Sequence, residues 1–290
     1  MPMDKVMVFG ASGMLSTALI PLLKEKYDVH SFNRSQADIT DAEKVNQLVR
    51  EIEPKWVFNC AAYTKVDDCE SHREQAFAVN RDGARHIAEA TAKIKKAKMV
   101  QISTDFVFDG KKKSPYTEMD ETHPLSLYGQ SKCEGEQAVW EALPQRSLIV
   151  RTSWVFGIGG VNFVETMLRL AQQQKELKVV EDQMGRPTYT KDLSLALLNL
   201  VGVNAMGWVH FANQGACSWN QFARGIFEAA GINIPVKKIT SEEFKRPAKR
   251  PAYSVLSTER YEKLTGQLIR SWPEALKEYL EERKTCQSHS

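Results

Sequence analysis

Lys5-Val6-Met7-Val8-Phe9 runs directly into Gly10-Ala11-Ser12-Gly13-Met14-Leu15-Ser16. The first five residues have the apolar, β-branched character of a strand, and the spacing over 13–24 is that of a helix. Strand, glycine turn and helix in that order form the setting in which a dinucleotide pyrophosphate is held. Gly10 and Gly13 present no side chain to a diphosphate, and Ser12 between them is small. The helix start at Met14 and Leu15 offers unpaired N–H groups and the positive end of a helix dipole. The spacing is G-x-x-G-x-x-S, so Ser16 stands where a third glycine is common. Serine is still small enough for close helix–strand packing.

Outward from this turn, strand patterns at 29–32, 56–60, 99–103 and Ser147–Thr152 alternate with helical spacing over 41–52, 74–93 and 128–141. Such a βαβ series predicts an α/β fold, a Rossmann-type doubly wound parallel sheet with helices on both faces. After Trp154 the segments shorten, with helical spacing at 162–174, 190–201 and 218–230. The expectation is an NAD(P)-binding Rossmann domain over 1–154 and a second, smaller α/β substrate-binding lobe over 155–290. Segments near 177–205 are expected to return to the first domain.

The charge balance, 39 Lys and Arg against 36 Asp and Glu, gives a net charge of +3. That near-balance does not favour nucleic acid or a membrane surface as partner. The start, MPMDKVMVFG, lacks the apolar core of a signal peptide. No run approaches the roughly 20 apolar residues of a spanning helix. The five cysteines are odd in number and form no CxxC, so neither a disulfide framework nor a zinc site is indicated. The expected location is cytoplasmic, with reduced thiols.

The second strand ends in Phe32-Asn33-Arg34-Ser35. An NAD site usually places an acid about 20 residues beyond the glycines, to hold the ribose 2′-OH. Here there is no carboxylate, and the Arg34 guanidinium suits a 2′-phosphate. NADPH is therefore expected, with NADH possible. Asp38 and Ile39 are placed beside the adenine, and Ala62-Tyr63-Thr64 at the carboxyl end of the third strand, where the cofactor crosses the sheet edge.

The fourth strand ends in Ser103-Thr104, and Tyr128-Gly129-Gln130-Ser131-Lys132 follows. A tyrosine and a lysine at this spacing share one helix face. A phenol can protonate the alkoxide formed from a carbonyl, and a nearby ammonium is expected to lower its ordinary pKa of about 10. Thr104 offers the same oxygen a second hydrogen bond. Such pairs are also frequent on ordinary helix surfaces. Position marks this one as catalytic: it opens the helix after a strand that ends in a hydroxyl residue.

With these residues in view, GASGML, NCAAYTKVD, STDFVFDG, YGQSK, RTSWVFG, DQMGRPT and RPAYSVLST make the chain resemble the dTDP-4-dehydrorhamnose reductases. These are extended short-chain dehydrogenases of surface-polysaccharide synthesis. The likeness runs from Lys5 to the region of Trp272, so it covers nearly the whole chain. It implies hydride transfer from reduced nicotinamide to C4 of dTDP-4-dehydro-β-L-rhamnose. Tyr128 would supply the proton, Lys132 would hold the nicotinamide ribose, and Thr104 would orient the sugar. It further implies cofactor contacts at Gly13, Met14, Leu15, Asp38, Ile39, Ala62, Tyr63 and Thr64, and a substrate contact at Trp154.

The chain departs from the family at Ser16, at Phe106, where tyrosine is frequent, and at Arg186, where a small residue is frequent. Leu15 stands where some members carry a carboxylate for magnesium at a dimer interface. No required metal is expected, and monomer and homodimer both stay open. Arg250, in a basic loop with Arg246 and Lys249, is a candidate for the substrate diphosphate, although the cluster also reads as a solvated loop. Trp219 and Phe222 are expected in the core. Two other readings remain: a reductase or epimerase of another nucleotide sugar, or a non-catalytic regulatory subunit of the same fold. The intact Thr104, Tyr128 and Lys132 weigh against the latter.

Overall fold

The computed structural model describes residues 3–287. Its first half follows the expected alternation: β1 (Lys5–Phe9), α1 (Met14–Lys24), β2 (Asp28–Phe32), α2 (Ala42–Ile52) and β3 (Trp56–Asn59). Then come α3 (Arg73–Phe77), α4 (Ala84–Ala92), β4 (Lys98–Thr104), α5 (Leu127–Ala142) and β5 (Ser147–Thr152). The second half holds β6 (Val155–Phe156), α6 (Phe163–Gln173), β7 (Leu177–Val180), β8 (Met184–Gly185) and β9 (Thr188–Tyr189). It continues with α7 (Thr190–Gly202), β10 (Gly207–His210), β11 (Cys217–Ser218) and α8 (Trp219–Ala230), and ends with β12 (Val236–Ile239), α9 (Glu259–Thr265) and α10 (Trp272–Gln287).

Six strands form one parallel sheet in the order β10-β5-β4-β3-β1-β2. Alternate side chains leave its two faces. Val6 and Val8 join Leu19 and Leu23 of α1 and Leu193 and Leu197 of α7 on one side. Met7 and Phe9 join Val45, Ile87 and Val139 of α2, α4 and α5 on the other. Burial on both faces is why the strands read as continuous apolar runs. The strand order reverses between β1 and β3, which opens a crevice at their carboxyl ends.

The smaller lobe has its own core, in which Phe156, Leu168, Leu177, Tyr189, Phe222, Ile226 and Tyr279 pack together. Within the segment expected to return, α7 contributes to the main core, whereas β7 pairs in parallel with β12 of the small lobe. The edge strand β10 joins β5 in the main sheet. The expected single helix over 74–93 is interrupted at Ala78–Gly83 by a π-helical turn. The widened turn lets the buried Asn80 reach three partners: its Oδ1 accepts from Tyr63 N at 2.8 Å, and its Nδ2 donates to Tyr63 O and Ser131 Oγ.

Candidate active site

The glycine turn lies at the crevice. Gly10 has φ +81°, and a Cβ there would stand 2.6 Å from the Ala61 backbone nitrogen. The turns after β1 and β3 therefore touch through backbone alone. Gly13 precedes α1 with no side-chain cap, so the first N–H groups of the helix stay available to an anion. The small lobe reaches this turn, since Asn162 Nδ2 donates to Met14 Sδ at 3.6 Å.

Arg34 is 70% exposed and donates Nε to Asp38 Oδ2 at 3.1 Å. Burial pushes the Asp38 carboxyl up, but hydrogen bonds from Thr40 and Arg34 outweigh it and hold the carboxyl below its usual value. The pair leaves the terminal guanidinium nitrogens of Arg34 for a phosphate. Ile39 is 4% exposed and belongs to the core, so its side chain is turned to the protein interior. Tyr63 is held from behind by Asn80, a residue that gave no sequence signal because its role depends on the π-turn.

Tyr128 and Lys132 of α5 lie against the last residues of β4, Tyr128 near Thr104 and Lys132 at the Ile102 carbonyl. Ser126 caps α5 by accepting from Gly129 N at 3.2 Å. Gly129 also allows the helix start to press on the loop after β4: a Cβ there would lie 2.3 Å from Phe106 O. That approach brings the Tyr128 phenol near the Thr104 hydroxyl. Phe106 packs edge-on against the Tyr128 ring, with centroids 5.5 Å apart.

The electrostatics differ from expectation. Burial pushes the Tyr128 phenol up, the Thr104 hydroxyl draws it back in part, and the Asp105 carboxylate pushes it further up. Lys132 does not lower it, because Lys132 Nζ donates to the Ile102 carbonyl at 2.6 Å. Burial pushes Lys132 itself down to about 8, against the attraction of Glu136. Asp105, which the motif reading passed over, is 1% exposed. Burial pushes its carboxyl up to about 7, although Ser254 and Thr104 hydrogen-bond to it. Ser254 Oγ donates to Asp105 Oδ2 at 2.5 Å, which ties the late RPAYSVLST segment to the strand end.

Trp154 has φ 47°, a left-handed backbone that is costly for a bulky residue. Its ring stacks on Trp219 with centroids 3.5 Å apart and 10° between planes. Trp219, expected only as core, thus supports the candidate substrate tryptophan, while Phe222 is fully buried. Arg186 donates to Thr258 Oγ1 at 3.4 Å, and its Nε has no partner among the described residues.

Arg250 is tied to Asp67 by two bonds of 3.1 and 3.0 Å, and Arg246 and the Ala248 N–H share the same carboxylate. The guanidinium fork is thereby occupied by a loop that follows β3. We expect Asp67→Ala and Arg250→Ala to lower stability by similar amounts, with a coupling of about 1 kcal/mol in a double-mutant cycle followed by thermal unfolding. Additive effects would show that the pair is not a tie. Among the described residues no group of three or more His, Cys, Asp or Glu is placed to hold a metal ion. No helix among them is long and apolar enough to cross a membrane.

Residues 3–285 match the family described as RmlD substrate binding domain. The chain is 43% identical over 285 residues to the spore coat polysaccharide biosynthesis protein SpsK of Bacillus subtilis, covering 98% of this chain and 99% of that protein. It is 42% identical to a dTDP-4-dehydrorhamnose reductase of Streptomyces griseus, covering 96% and 93% of the two chains. Among solved structures, dTDP-4-dehydrorhamnose reductase from Bacillus anthracis in complex with NADP superposes with a TM-score of 0.93 at 41% identity, covering 97% of this chain and 99% of that one.

Proposed function

The chain belongs to the RmlD substrate binding domain family, and from that premise we propose that it reduces the C4 keto group of dTDP-4-dehydro-β-L-rhamnose to dTDP-β-L-rhamnose with NADPH. The observation that carries the reading is the placing of Tyr128 and Lys132, one helical turn apart on α5, against Thr104 and the Ile102 carbonyl at the end of β4, beside a glycine turn packed on backbone alone. The residues fit a dinucleotide. Gly10 packs its turn on the Ala61 backbone with no side chain between, and the uncapped start of α1 leaves its first N–H groups for a pyrophosphate.

In this reading Gly10, Ser12, Gly13, Met14 and Leu15 surround the pyrophosphate, and Arg34 meets the 2′-phosphate. Asp38 and Ile39 border the adenosine, Ala62, Tyr63 and Thr64 follow the cofactor across the sheet edge, and Lys132 holds the nicotinamide ribose. NADPH, when bound, supplies the hydride. Tyr128, kept protonated by burial, donates its proton to the oxygen at C4 as negative charge grows there. Thr104 orients that oxygen and stabilises the charge. Trp154, backed by Trp219, offers a ring face to the substrate.

The likeness to the spore coat protein supports a role in surface-polysaccharide synthesis. The reading places the enzyme in the cytoplasm, in keeping with Cys60, Cys69, Cys133 and Cys217, which form no disulfide.

Purified protein mixed with NADPH and dTDP-4-dehydro-β-L-rhamnose is expected to consume the reduced nicotinamide in proportion to the keto sugar. Turnover of a different keto sugar in place of this one would sink the assignment. Arg34→Ala should raise the KM for NADPH about tenfold and leave that for NADH nearly unchanged. Equal effects on both would show that Arg34 does not read the 2′-phosphate.

A further inference from the structure

A buried ion pair lies directly behind Lys132. Glu136, one turn further along α5, is 3% exposed, and Arg151 on β5 is 4% exposed. Arg151 donates Nε and Nη2 to Glu136 Oε1 and Oε2 at 2.9 and 2.6 Å. Ser103 Oγ donates to Oε1 at 2.5 Å, and Trp208 Nε1 donates to Oε2 at 2.9 Å. Four donors thus converge on one carboxylate. Ser103, Arg151 and His210 stand in register across β4, β5 and β10. Burial and the Arg151 charge push His210 down to about 3, so it is neutral. Its Nε2 accepts from Arg151 Nη1, and its Nδ1 faces the Tyr116 carbonyl.

A buried pair of this kind is a poor stabiliser compared with apolar side chains of the same volume. Its place explains its presence. Three consecutive residues of β4 are tied to three positions spaced by four along α5. The Thr104 hydroxyl meets Tyr128, the Ile102 carbonyl meets Lys132, and the Ser103 hydroxyl meets Glu136. The innermost tie is to the acidic partner of the Arg151 ion pair, one turn from the lysine. The other groups around Lys132 offer less. The Cys60 thiol is pushed by burial up to about 11 and is neutral. Asp105 is pushed up to about 7, Tyr128 is pushed up, and Glu118 hydrogen-bonds to the His210 N–H on β10.

We propose that Glu136, clamped by Arg151, is a positioning residue for the reduction: it seats α5 on β4 and holds the buried Lys132 in its ammonium form. This rests on the reading that Lys132 binds the nicotinamide ribose, and the test separates the two.

NADPH affinity is measured by fluorescence titration across the alkaline range, with no sugar present. The wild-type protein should lose affinity as Lys132 deprotonates, with a limb near pH 8, and Lys132→Met should abolish that limb. In Glu136→Gln the limb should lie about one pH unit lower, since the carboxylate that opposed desolvation is gone. If the uncompensated Arg151 prevents folding, Glu136→Gln combined with Arg151→Met removes both charges at similar volume and should displace the limb in the same direction by a smaller amount, since the opposing cation leaves as well. A limb at the same pH in wild type and in a folded variant overturns the proposal, as does a wild-type profile without a limb that depends on Lys132. Sugar turnover is assayed separately, so failure of the substrate assignment leaves this result readable.

Discussion

Tyr128→Phe is expected to lower kcat by about a thousandfold, within the range that general acid catalysis supplies, while NADPH affinity stays within about twofold because Lys132 and the glycine turn remain. The ring keeps its edge-on contact with Phe106, so the change removes a proton and little else. Thr104 still accepts from Phe106 N and donates to Asp105 Oδ1. Single-turnover reduction of the keto sugar, with a parallel NADPH titration, measures both quantities. If turnover persists at a tenth of wild type or more, another group supplies the proton. Asp105 is then the first candidate, since burial puts its carboxyl near 7 beside the phenol. Residual turnover through Asp105 would fall as pH rises through that value, because the carboxyl gives up its proton there.

Gly10→Ala should have the second largest effect, and on binding more than on chemistry. The positive φ costs an L-residue about 1 kcal/mol. The new Cβ would also stand 2.6 Å from Ala61 N and 2.8 Å from Ala61 Cα. Neither neighbour is a flexible side chain, so the loop after β3 has to move, and with it Ala62 and Tyr63. NADPH affinity should fall by at least tenfold, about 1.4 kcal/mol, with a lower melting temperature. Unchanged affinity would mean that the crevice between β1 and β3 is not where the pyrophosphate sits.

Why the core of the candidate site is legible in the chain follows from its locality. Gly10 and Gly13 act through the strand and helix they join. Tyr128 and Lys132 share a face because they are one helical turn apart, and Thr104 ends a strand that announces itself by its apolar run. Five of the six strands of the central sheet fall within a residue of the expected spans for the same reason, whereas the edge strand β10 (Gly207–His210) was not expected. The π-turn at Ala78–Gly83 was not legible. Helical spacing is continuous through it, and only the bonds of Asn80 to Tyr63 and Ser131 select the wider turn.

The same contrast governs charge. Sequence spacing puts Lys132 near Tyr128 and so predicts a lowered phenol. Burial raises the phenol instead, and the Ile102 carbonyl takes the ammonium. Arg250 reads as a phosphate ligand until Asp67, far away in the chain, closes on its fork.

The alternation of strand and helix, the backbone-only turn at Gly10 and the Thr104, Tyr128, Lys132 set are written in the chain, because each depends on residues within one element or on the order of elements. The phenol's protonation, the support of Trp154 by Trp219, the link of Ser254 to Asp105 and the seating of Glu136 on Arg151 came only with the tertiary structure. Each of these depends on desolvation, or on a partner that only the packing of separate elements brings within hydrogen-bonding or stacking distance.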